Sequence, residues 1–358
     1  MTERWAIPIS FLPQESTYSW LIRTALAHGC DPLALTGFLW PDWRAWTTDL
    51  DREISEDRLS ALTRYSGIPI KRFQQSFLIS DVSLITGMPP PKHGTWPWIL
   101  ALGTRNRTYR GGLQICPKCL SDDEYPYFRR HWRFAWHTAC YRHSIRLIDR
   151  CPSCDSPIEP HRLEAHNGHL VSCVRCQFDY RNIECQPHNK HALDFQNLAD
   201  QVLKHRQAIY WNQLVLGHDW FALCRFIIAL TRRVLRRPLS KLTAVLKDFG
   251  IDVYEPNVSL FSHQLEMLSV TNRERLMAAT FKFLNINPDQ LLQSLDAAGV
   301  SQNSLTEWKV SIPPTLHFLT QLDICHRSRR SIEIHTKVPR SKRAVLIAWH
   351  RVRRNTRS

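Results

Sequence analysis

Apolar residues recur at helical spacing through much of the first hundred residues. After Pro13 they fall at i, i+3, i+4, i+7 and i+8, and Gly29 ends this pattern, which predicts an amphipathic helix. The dipeptide Asp31-Pro32 is typical of a helix cap followed by the first helical residue. The apolar positions of the first predicted helix are Tyr18, Leu21, Ile22, Ala25 and Leu26.

Two further helices are predicted in the same region. The stretch "SEDRLSALTRYSG" predicts a helix that begins after Ser55 and ends at Gly67, and "IPIKRFQQSFL" predicts a second, shorter one. Helix, tight glycine turn and helix is the outline of a helix-turn-helix. Many helical hairpins share this outline and serve only packing, so DNA contact and a docking or dimerisation role both stay open.

Helical patterns return in the second half of the chain, in "LADQVLKHRQAIYWNQLVL" and "DWFALCRFIIALTRRVL". The stretch "PDQLLQSLDAAGVSQNSLTEWKV" predicts a helix, a tight turn at Gly299 and a second helix. In a helix-turn-helix, Gln302, Asn303 and Thr306 would lie at the exposed start of a recognition helix, where Gln and Asn can read adenine edges. A polar helix face within a packing unit is the alternative.

The region between these helices, residues 113–188, lacks periodicity and contains three Cys-x-x-Cys pairs and two Cys-x-x-His pairs, the first of them at Cys140 and His143. Each pair lets two ligands approach one zinc ion, at about 2.3 Å for sulfur, and a second pair closes a tetrahedral structural site. Pairing neighbours along the chain predicts two zinc ions with the ligand sets Cys116, Cys119, Cys140, His143 and Cys151, Cys154, Cys173, Cys176. The predicted fold is mainly α, with helical helix-turn-helix domains at 1–112 and 189–358 flanking a small tandem zinc-finger or zinc-ribbon region.

Other ligand assignments stay open at this point. Cys185 and His188 form a further Cys-x-x-His pair, and three histidines expected to be exposed, His161, His166 and His169, lie between the third and fourth pairs. A cross-braced arrangement would join the first pair to the third and the second to the fourth. The isolated cysteines, interpreted as core or chance residues, are Cys30, Cys224 and Cys325.

An aromatic and arginine-rich stretch, "YFRRHWRFAWH", lies between the first two pairs. Aromatic rings among arginines can stack on nucleic-acid bases. A zinc module also needs a small apolar core, and the alternation of Trp132, Phe134 and Trp136 predicts a strand with one buried face. We favour the core role.

Composition narrows the class of protein. With 358 residues, 43% of them hydrophobic, the chain can bury several cores. The start "MTERWAIPISFLPQES" lacks the order of a signal peptide and no run of 18 apolar residues occurs, so a cytoplasmic protein without membrane insertion is expected. Because the cytosol keeps thiols reduced, the eleven cysteines favour metal ligation over disulfides.

Positive charge is concentrated near the carboxy terminus. Of the net charge of +15, the segment from Arg327 to Arg357 contributes eleven Lys and Arg against one acid, Glu333. Clustered cations bind polyphosphates by releasing condensed counterions, which favours a nucleic-acid partner over a tail that only keeps the protein soluble. The residues predicted to contact phosphates are Arg340, Lys342, Arg343, Arg351, Arg353 and Arg354.

The stretches "PQESTYSWLIRTALAHG", "ICPKCL", "HWRFAWHTACYRHSIRLIDRCPSCDSPI" and "CVRC" resemble the TniQ family of transposon target-selection proteins, which includes TnsD. The resemblance implies the eight zinc ligands named above and a homodimer. It also implies an adaptor that recruits an AAA+ ATPase, which calls in the transposase. Targeting would use either a CRISPR effector complex of the Cascade type with its guide RNA or, as in TnsD, target DNA directly.

Two other classes of protein compete with the adaptor role. An enzyme is disfavoured, because no phosphate loop, nucleophile elbow or zinc-protease motif occurs, and Asp122, Asp123 and Glu124 resemble a surface run more than a two-metal site. A stand-alone helix-turn-helix DNA-binding regulator remains an alternative.

Overall fold

The structure is a computed structural model that describes residues 4–102, 112–251, 263–306 and 312–322. About half of its described part is helical, and it also contains two short antiparallel β-hairpins. The helices are α1 (Thr17–Ala27), α2 (Pro32–Leu39), α3 (Glu56–Ser66), α4 (Ile70–Gln74), α5 (Ile79–Thr86), α6 (Pro117–Asp122), α7 (Lys190–His205), α8 (Gly217–Arg236), α9 (Lys241–Asp248), α10 (Val270–Leu284), α11 (Pro288–Ala297) and α12 (Gln302–Leu305). The strands are β1 (Ala139–Cys140), β2 (Ile145–Arg146), β3 (Gln207–Tyr210) and β4 (Gln213–Leu216).

The helices predicted in the first hundred residues are present. Ser16 caps α1 by accepting a hydrogen bond from the Ser19 amide at 3.1 Å. Gly67 ends α3 with a φ of 72°, a left-handed conformation that glycine adopts without strain. α4 follows at once, so the order helix, glycine turn, helix is present, whereas its use as a DNA-binding helix-turn-helix stays a prediction.

The described residues bury three hydrophobic cores. The first core lies among α1 to α4 around Trp20 and Phe73. The second core surrounds the cysteine-rich region and includes Tyr18 and Ile22 from another face of α1. The third core joins α5 and residues 96–100 to α7, α8 and α10. α5 therefore shares a core with helices from the second half of the chain. The domain boundaries at residues 112 and 188 stay a prediction.

The aromatic stretch is buried as predicted, but it is not a strand. Residues Arg130–Arg133 form a 3-10 helix, and Trp132, Phe134 and Trp136 are all buried. Trp132 packs in the second core, whereas Phe134 and Trp136 pack in the third. The three aromatic side chains are therefore divided between two cores, and none of them faces solvent.

The hairpin of β3 and β4 has one buried and one exposed face. Tyr210 and Val215 point into the third core, whereas Ile209 and Leu214, which pair across the strands, are 77% and 69% exposed. Among the described residues no helix is long and apolar enough to cross a membrane.

The carboxy-terminal helix pair is present in part. α11 ends before Gly299, whose φ of 61° allows the tight turn, and α12 spans the single turn Gln302–Leu305. The remainder of the predicted second helix, including Trp308, lies outside the described residues. A helix-turn-helix arrangement at this position stays a prediction.

Candidate metal centres

The first candidate centre combines a helix start with a hairpin turn. Cys116 caps α6, and its Sγ accepts a hydrogen bond from the Cys119 amide at 3.4 Å. Cys140 lies in β1, where it pairs with Ile145 of β2, and His143 lies in the turn between these strands. The two local elements bring four ligand atoms together within 4.8 Å of one another.

The distances within this centre fit a tetrahedral zinc site. The His143 Nδ1 atom lies 3.3, 3.4 and 3.4 Å from the sulfurs of Cys116, Cys119 and Cys140. The sulfurs of Cys119 and Cys140 are 3.6 Å apart. Metal–ligand bonds of about 2.3 Å to sulfur and about 2.0–2.1 Å to nitrogen give tetrahedral edges of about 3.5–3.8 Å. The donor set therefore matches the size and chemistry of Zn²⁺.

Asp122 orients the histidine of this centre. Its Oδ2 lies 2.8 Å from His143 Nε2, which leaves the Nδ1 lone pair facing the three sulfurs. A carboxylate on the second ring nitrogen fixes the tautomer and raises the basicity of a metal-binding histidine. Sequence reasoning placed Asp122 in a surface run and missed this contact, although its position, three residues after Cys119, was a usable signal.

The second candidate centre brings together Cys151, Cys154, Cys173 and Cys176. The sulfurs of Cys151 and Cys176 are 3.6 Å apart, as are those of Cys154 and Cys173. These distances match the tetrahedral edge expected for four thiolates around one zinc ion. Cys151 and Cys173 are buried, whereas Cys176 is exposed, so this centre lies at the protein surface.

Three of the four ligand pairs share one backbone conformation. The residue after the second ligand, Ser144, Asp155 or Gln177, has a φ between 52° and 58°. Its amide donates to the carbonyl of the first ligand residue at 2.8–2.9 Å. This left-handed turn brings both ligands of a pair to one side. The pair at Cys116 differs because α6 follows it, and the Leu120 amide donates to the Cys116 carbonyl instead.

The other candidate ligands lie elsewhere. Cys185 donates to the Ile183 carbonyl, and His188 Nδ1 lies 2.8 Å from the Ser144 carbonyl oxygen. The four pairs meet in sequence order, so the cross-braced alternative does not describe this structure. Of the isolated cysteines, Cys224 is buried in α8 and Cys30 is half-buried, while Cys325 lies outside the described residues.

One of the three histidines expected to be exposed is not. His161 stacks on Trp46, with ring centroids 5.5 Å apart, and its Nδ1 shares a hydrogen bond of 2.7 Å with the Tyr18 hydroxyl. Burial, reinforced by Arg162, lowers the pKa of His161 to about 4. His161 is therefore a neutral packing residue with one hydrogen bond to α1. It joins the loop between the third and fourth pairs to α1.

Arg133 joins the first centre to the amino-terminal helices. Its guanidinium is 2% exposed and donates to both oxygens of Asp49 at 3.0 and 2.6 Å, to Asp51 at 2.7 Å and to the Leu100 carbonyl at 3.0 Å. Burial works against ionisation of Asp49, but Arg133 outweighs it, so the pKa of Asp49 is lowered. Burial raises the pKa of Asp51, against the pull of Arg133. Arg133 thus forms ion pairs with two buried carboxylates.

Arg273 of α10 makes the corresponding link to the carboxy-terminal helices. It is 1% exposed and donates to the carbonyls of Ala135 and His137 at 2.8 and 3.2 Å and to Gln114 Oε1 at 2.7 Å. The Val270 amide, at the start of α10, donates to Asp149 at 2.7 Å. Sequence reasoning missed both arginines, because their partners are far away along the chain.

The six residues predicted to contact nucleic acid, Arg340 to Arg354, lie outside the described residues.

The comparisons with known proteins agree with the resemblance noted from the sequence. The family model TniQ matches residues 6–147, which include α1 to α6 and all four residues of the first candidate centre. No curated protein matches the chain.

Proposed function

We propose that the chain, whose residues 6–147 match the TniQ family model, is a non-catalytic adaptor that selects the target site of a transposon. The family role in target selection for transposition is the premise. The finer proposal is that the protein links an AAA+ transposition regulator, and through it the transposase, to a Cascade-type CRISPR effector with its guide RNA. The match over residues 6–147 is the single observation that carries this proposal.

We propose that the two centres each hold one structural zinc ion. The ligands would be the eight residues of the two quartets, with Asp122 fixing the His143 tautomer. When bound, the ions crosslink chain segments that contain little regular secondary structure. Four protein ligands per ion leave no position for a substrate or a reactive water, which supports an adaptor rather than an enzyme.

The buried arginines support a rigid adaptor. Arg133 ties the first centre to Asp49 and Asp51, and Arg273 ties the same segment to α10. A target complex bound at one end and an ATPase bound at the other would then be held at a fixed separation.

The proposal is tested by affinity purification from cells that carry the neighbouring genes, with identification of bound proteins and RNA. Capture of an AAA+ ATPase together with Cascade-type subunits and guide RNA would support it. Capture of the ATPase alone, with nanomolar binding to a defined DNA site, would favour the TnsD-like alternative. Recovery of neither partner would favour a stand-alone DNA-binding regulator.

For the basic carboxy-terminal segment we propose bonds to DNA or RNA phosphates that carry no sequence information. Removal of one such cation should flatten the dependence of log K on log salt by about 0.9 on duplex DNA. Replacement by Ala should weaken binding to all sequences alike, and a weakening confined to one sequence would contradict the proposal. The residues to replace are Arg340, Lys342, Arg343, Arg351, Arg353 and Arg354.

We also propose a homodimer. Leu33 and Phe38 of α2 are 55% and 59% exposed, and Ile209 and Leu214 of the β3–β4 hairpin are still more exposed. Exposed apolar residues grouped on one element favour a protein contact. Light scattering of the purified protein at tens of micromolar tests this, and a monomer mass would contradict it.

A further inference from the structure

A cationic segment crosses the junction of α8 and α9. Residues 231–247 contain six Lys and Arg and no acid, in the stretch "TRRVLRRPLSKLTAVLK". The segment covers the last turn of α8, the connecting loop and most of α9. It lies far along the chain from the basic carboxy-terminal segment, and the sequence patterns alone did not mark it as a binding surface.

The structure folds this segment against the α11–α12 pair. Arg233 donates to the carbonyls of Asn303 and Thr306, which fastens α12 to α8. A Cβ atom built on Gly299 would lie 3.0 Å from Lys241 Nζ, so the lysine lies against the turn between α11 and α12. Two sequence-distant elements therefore form one surface.

A cavity of about 150 Å³ opens on this surface. No carboxylate is among its lining residues, and the side chains of Arg237 and Lys241 have no ion pair or hydrogen bond with any described residue. Both residues are exposed. The polar and charged residues that line the cavity are Arg233, Arg237, Ser240, Lys241 and Ser304.

A second arginine-lined cleft beside the second metal centre provides the contrast. Arg150, Arg162 and Arg175 line it together with Asp155 and Glu159. Arg150 lies 3.6 Å from the Asp155 carboxylate, and Arg162 lies 3.3 Å from that of Glu159. Two of its three cations are thus already neutralised, whereas Arg237 and Lys241 have no carboxylate partner in the part of the chain that the structure describes.

We propose that Arg237 and Lys241 bind backbone phosphates of duplex DNA. Cations without a protein partner gain affinity for the phosphate backbone through counterion release. The cavity lining contains no aromatic side chain on which an unpaired base could stack, so a duplex fits better than a single strand. The choice of DNA over RNA rests on the proposed role in target selection, whereas the cationic surface itself does not depend on that role.

The test uses the full chain, purified with zinc, and the double variant Arg237→Ala, Lys241→Ala. Fluorescence anisotropy with two unrelated 30-base-pair duplexes is measured across a salt series. Removal of two phosphate-binding cations should reduce the magnitude of the slope of log K against log salt by about 1.8. If the variant and the unchanged protein bind equally at 1 M salt, the variant then binds about 60-fold more weakly at 0.1 M salt. Both sequences should be weakened equally, because bonds to phosphate carry no sequence information.

A matched control removes the same charge from the other cleft. The double variant Arg150→Ala, Arg162→Ala, which removes the two cations already paired with carboxylates, should bind both duplexes like the unchanged protein. An equal weakening in the control would mean that only net charge matters and would overturn the proposal. The pair Arg237→Lys, Lys241→Arg should keep the salt slope, and thermal melting checks that all variants are folded.

Competing nucleic acids complete the test. An RNA hairpin or a single-stranded DNA that binds more tightly than the duplex, and loses that binding in the Arg237→Ala, Lys241→Ala variant, would overturn the assignment to duplex DNA. Capture of an ATPase from cells does not require this surface. If the double variant binds DNA like the unchanged protein while the unchanged protein still captures the ATPase, only this inference is contradicted. If the double variant loses DNA binding as expected but no ATPase is captured, only the proposed adaptor role is contradicted.

Discussion

Replacement of Arg133 by Met tests how the first metal centre is joined to the amino-terminal helices. The substitution removes the cation that faces Asp49 and Asp51 but keeps an apolar side chain of similar length. It also deletes the donors of four hydrogen bonds, three to carboxylate oxygens and one to the Leu100 carbonyl. Two buried carboxylates are then left without this partner.

Removal of one partner of a buried ion pair destabilises proteins by about 3–5 kcal/mol. We expect a decrease of this size in the free energy of unfolding, which is a large fraction of the roughly 5–15 kcal/mol typical of a domain. Urea denaturation of the zinc-loaded protein, followed by tryptophan fluorescence and circular dichroism, measures it. Zinc content is determined alongside, because loss of metal would add to the effect.

The loss of stability caused by Arg133→Met should depend on pH in a defined direction. With Arg133 present, the lowered pKa of Asp49 stabilises the folded state above its ordinary pKa, and this contribution is lost as pH falls. Burial raises the pKa of Asp51, so its ionisation opposes folding at neutral pH. Without Arg133 both pKa values should rise, and protonation then relieves the penalty. The difference between variant and wild type should be largest at pH 7 and smaller at pH 5.

Arg181→Met is the matched control. Arg181 makes hydrogen bonds to both oxygens of Asp179, but the two side chains are 43% and 27% exposed. Exposed pairs contribute about 0–1 kcal/mol, so the control should change stability little at either pH. If Arg133→Met lowers the free energy of unfolding no more than Arg181→Met does, or if its destabilising effect grows as pH falls, the account of this buried network is wrong.

Three further predictions concern the metal centres. Cys140→Ser should abolish zinc binding at the first centre, whereas Cys185→Ser should leave the zinc content at two per chain, and elemental analysis that gives the reverse would reject the ligand assignment. Asp122→Asn should weaken zinc at the first centre by about 10- to 100-fold in a chelator competition, because His143 loses its carboxylate partner, and unchanged affinity would contradict that role. Ser144→Gly should keep both zinc ions and stabilise the protein by up to about 1 kcal/mol in thermal melting, because glycine adopts the left-handed conformation of this turn without strain, and a clear decrease in stability would mean that the Ser144 side chain has a structural role of its own.

The sequence predicted those parts of the molecule that depend on local spacing. Gly67 ends α3 and Gly29 follows α1 as their patterns indicated, and each Cys-x-x pair of the two centres contributes both its ligands to one centre. In these cases the interacting residues lie a few positions apart, so periodicity and turn chemistry are enough.

Contacts between distant segments could not be predicted in the same way. Arg133 and Asp49 are 84 residues apart, and nothing in the pattern around either residue specifies the other. The run from Trp132 to Trp136 alternates like a strand, yet the side chains are divided between two cores that meet there. His161 is polar and near a turn, which favours exposure, but it packs on Trp46.

The third core also has a consequence for biosynthesis. It joins Leu78, Val82 and Trp98 to Phe283 of α10, about 200 residues later in the chain. At a translation rate of about 5–20 residues per second, about 10–40 s pass between the synthesis of the early residues of this core and that of Phe283. The first core needs only α1 to α4 and can form during this interval. Until α8 emerges, the apolar surface of α5 that packs on it is available to chaperones, and α10 follows later still, so the order of synthesis makes closure of the third core the late step in folding.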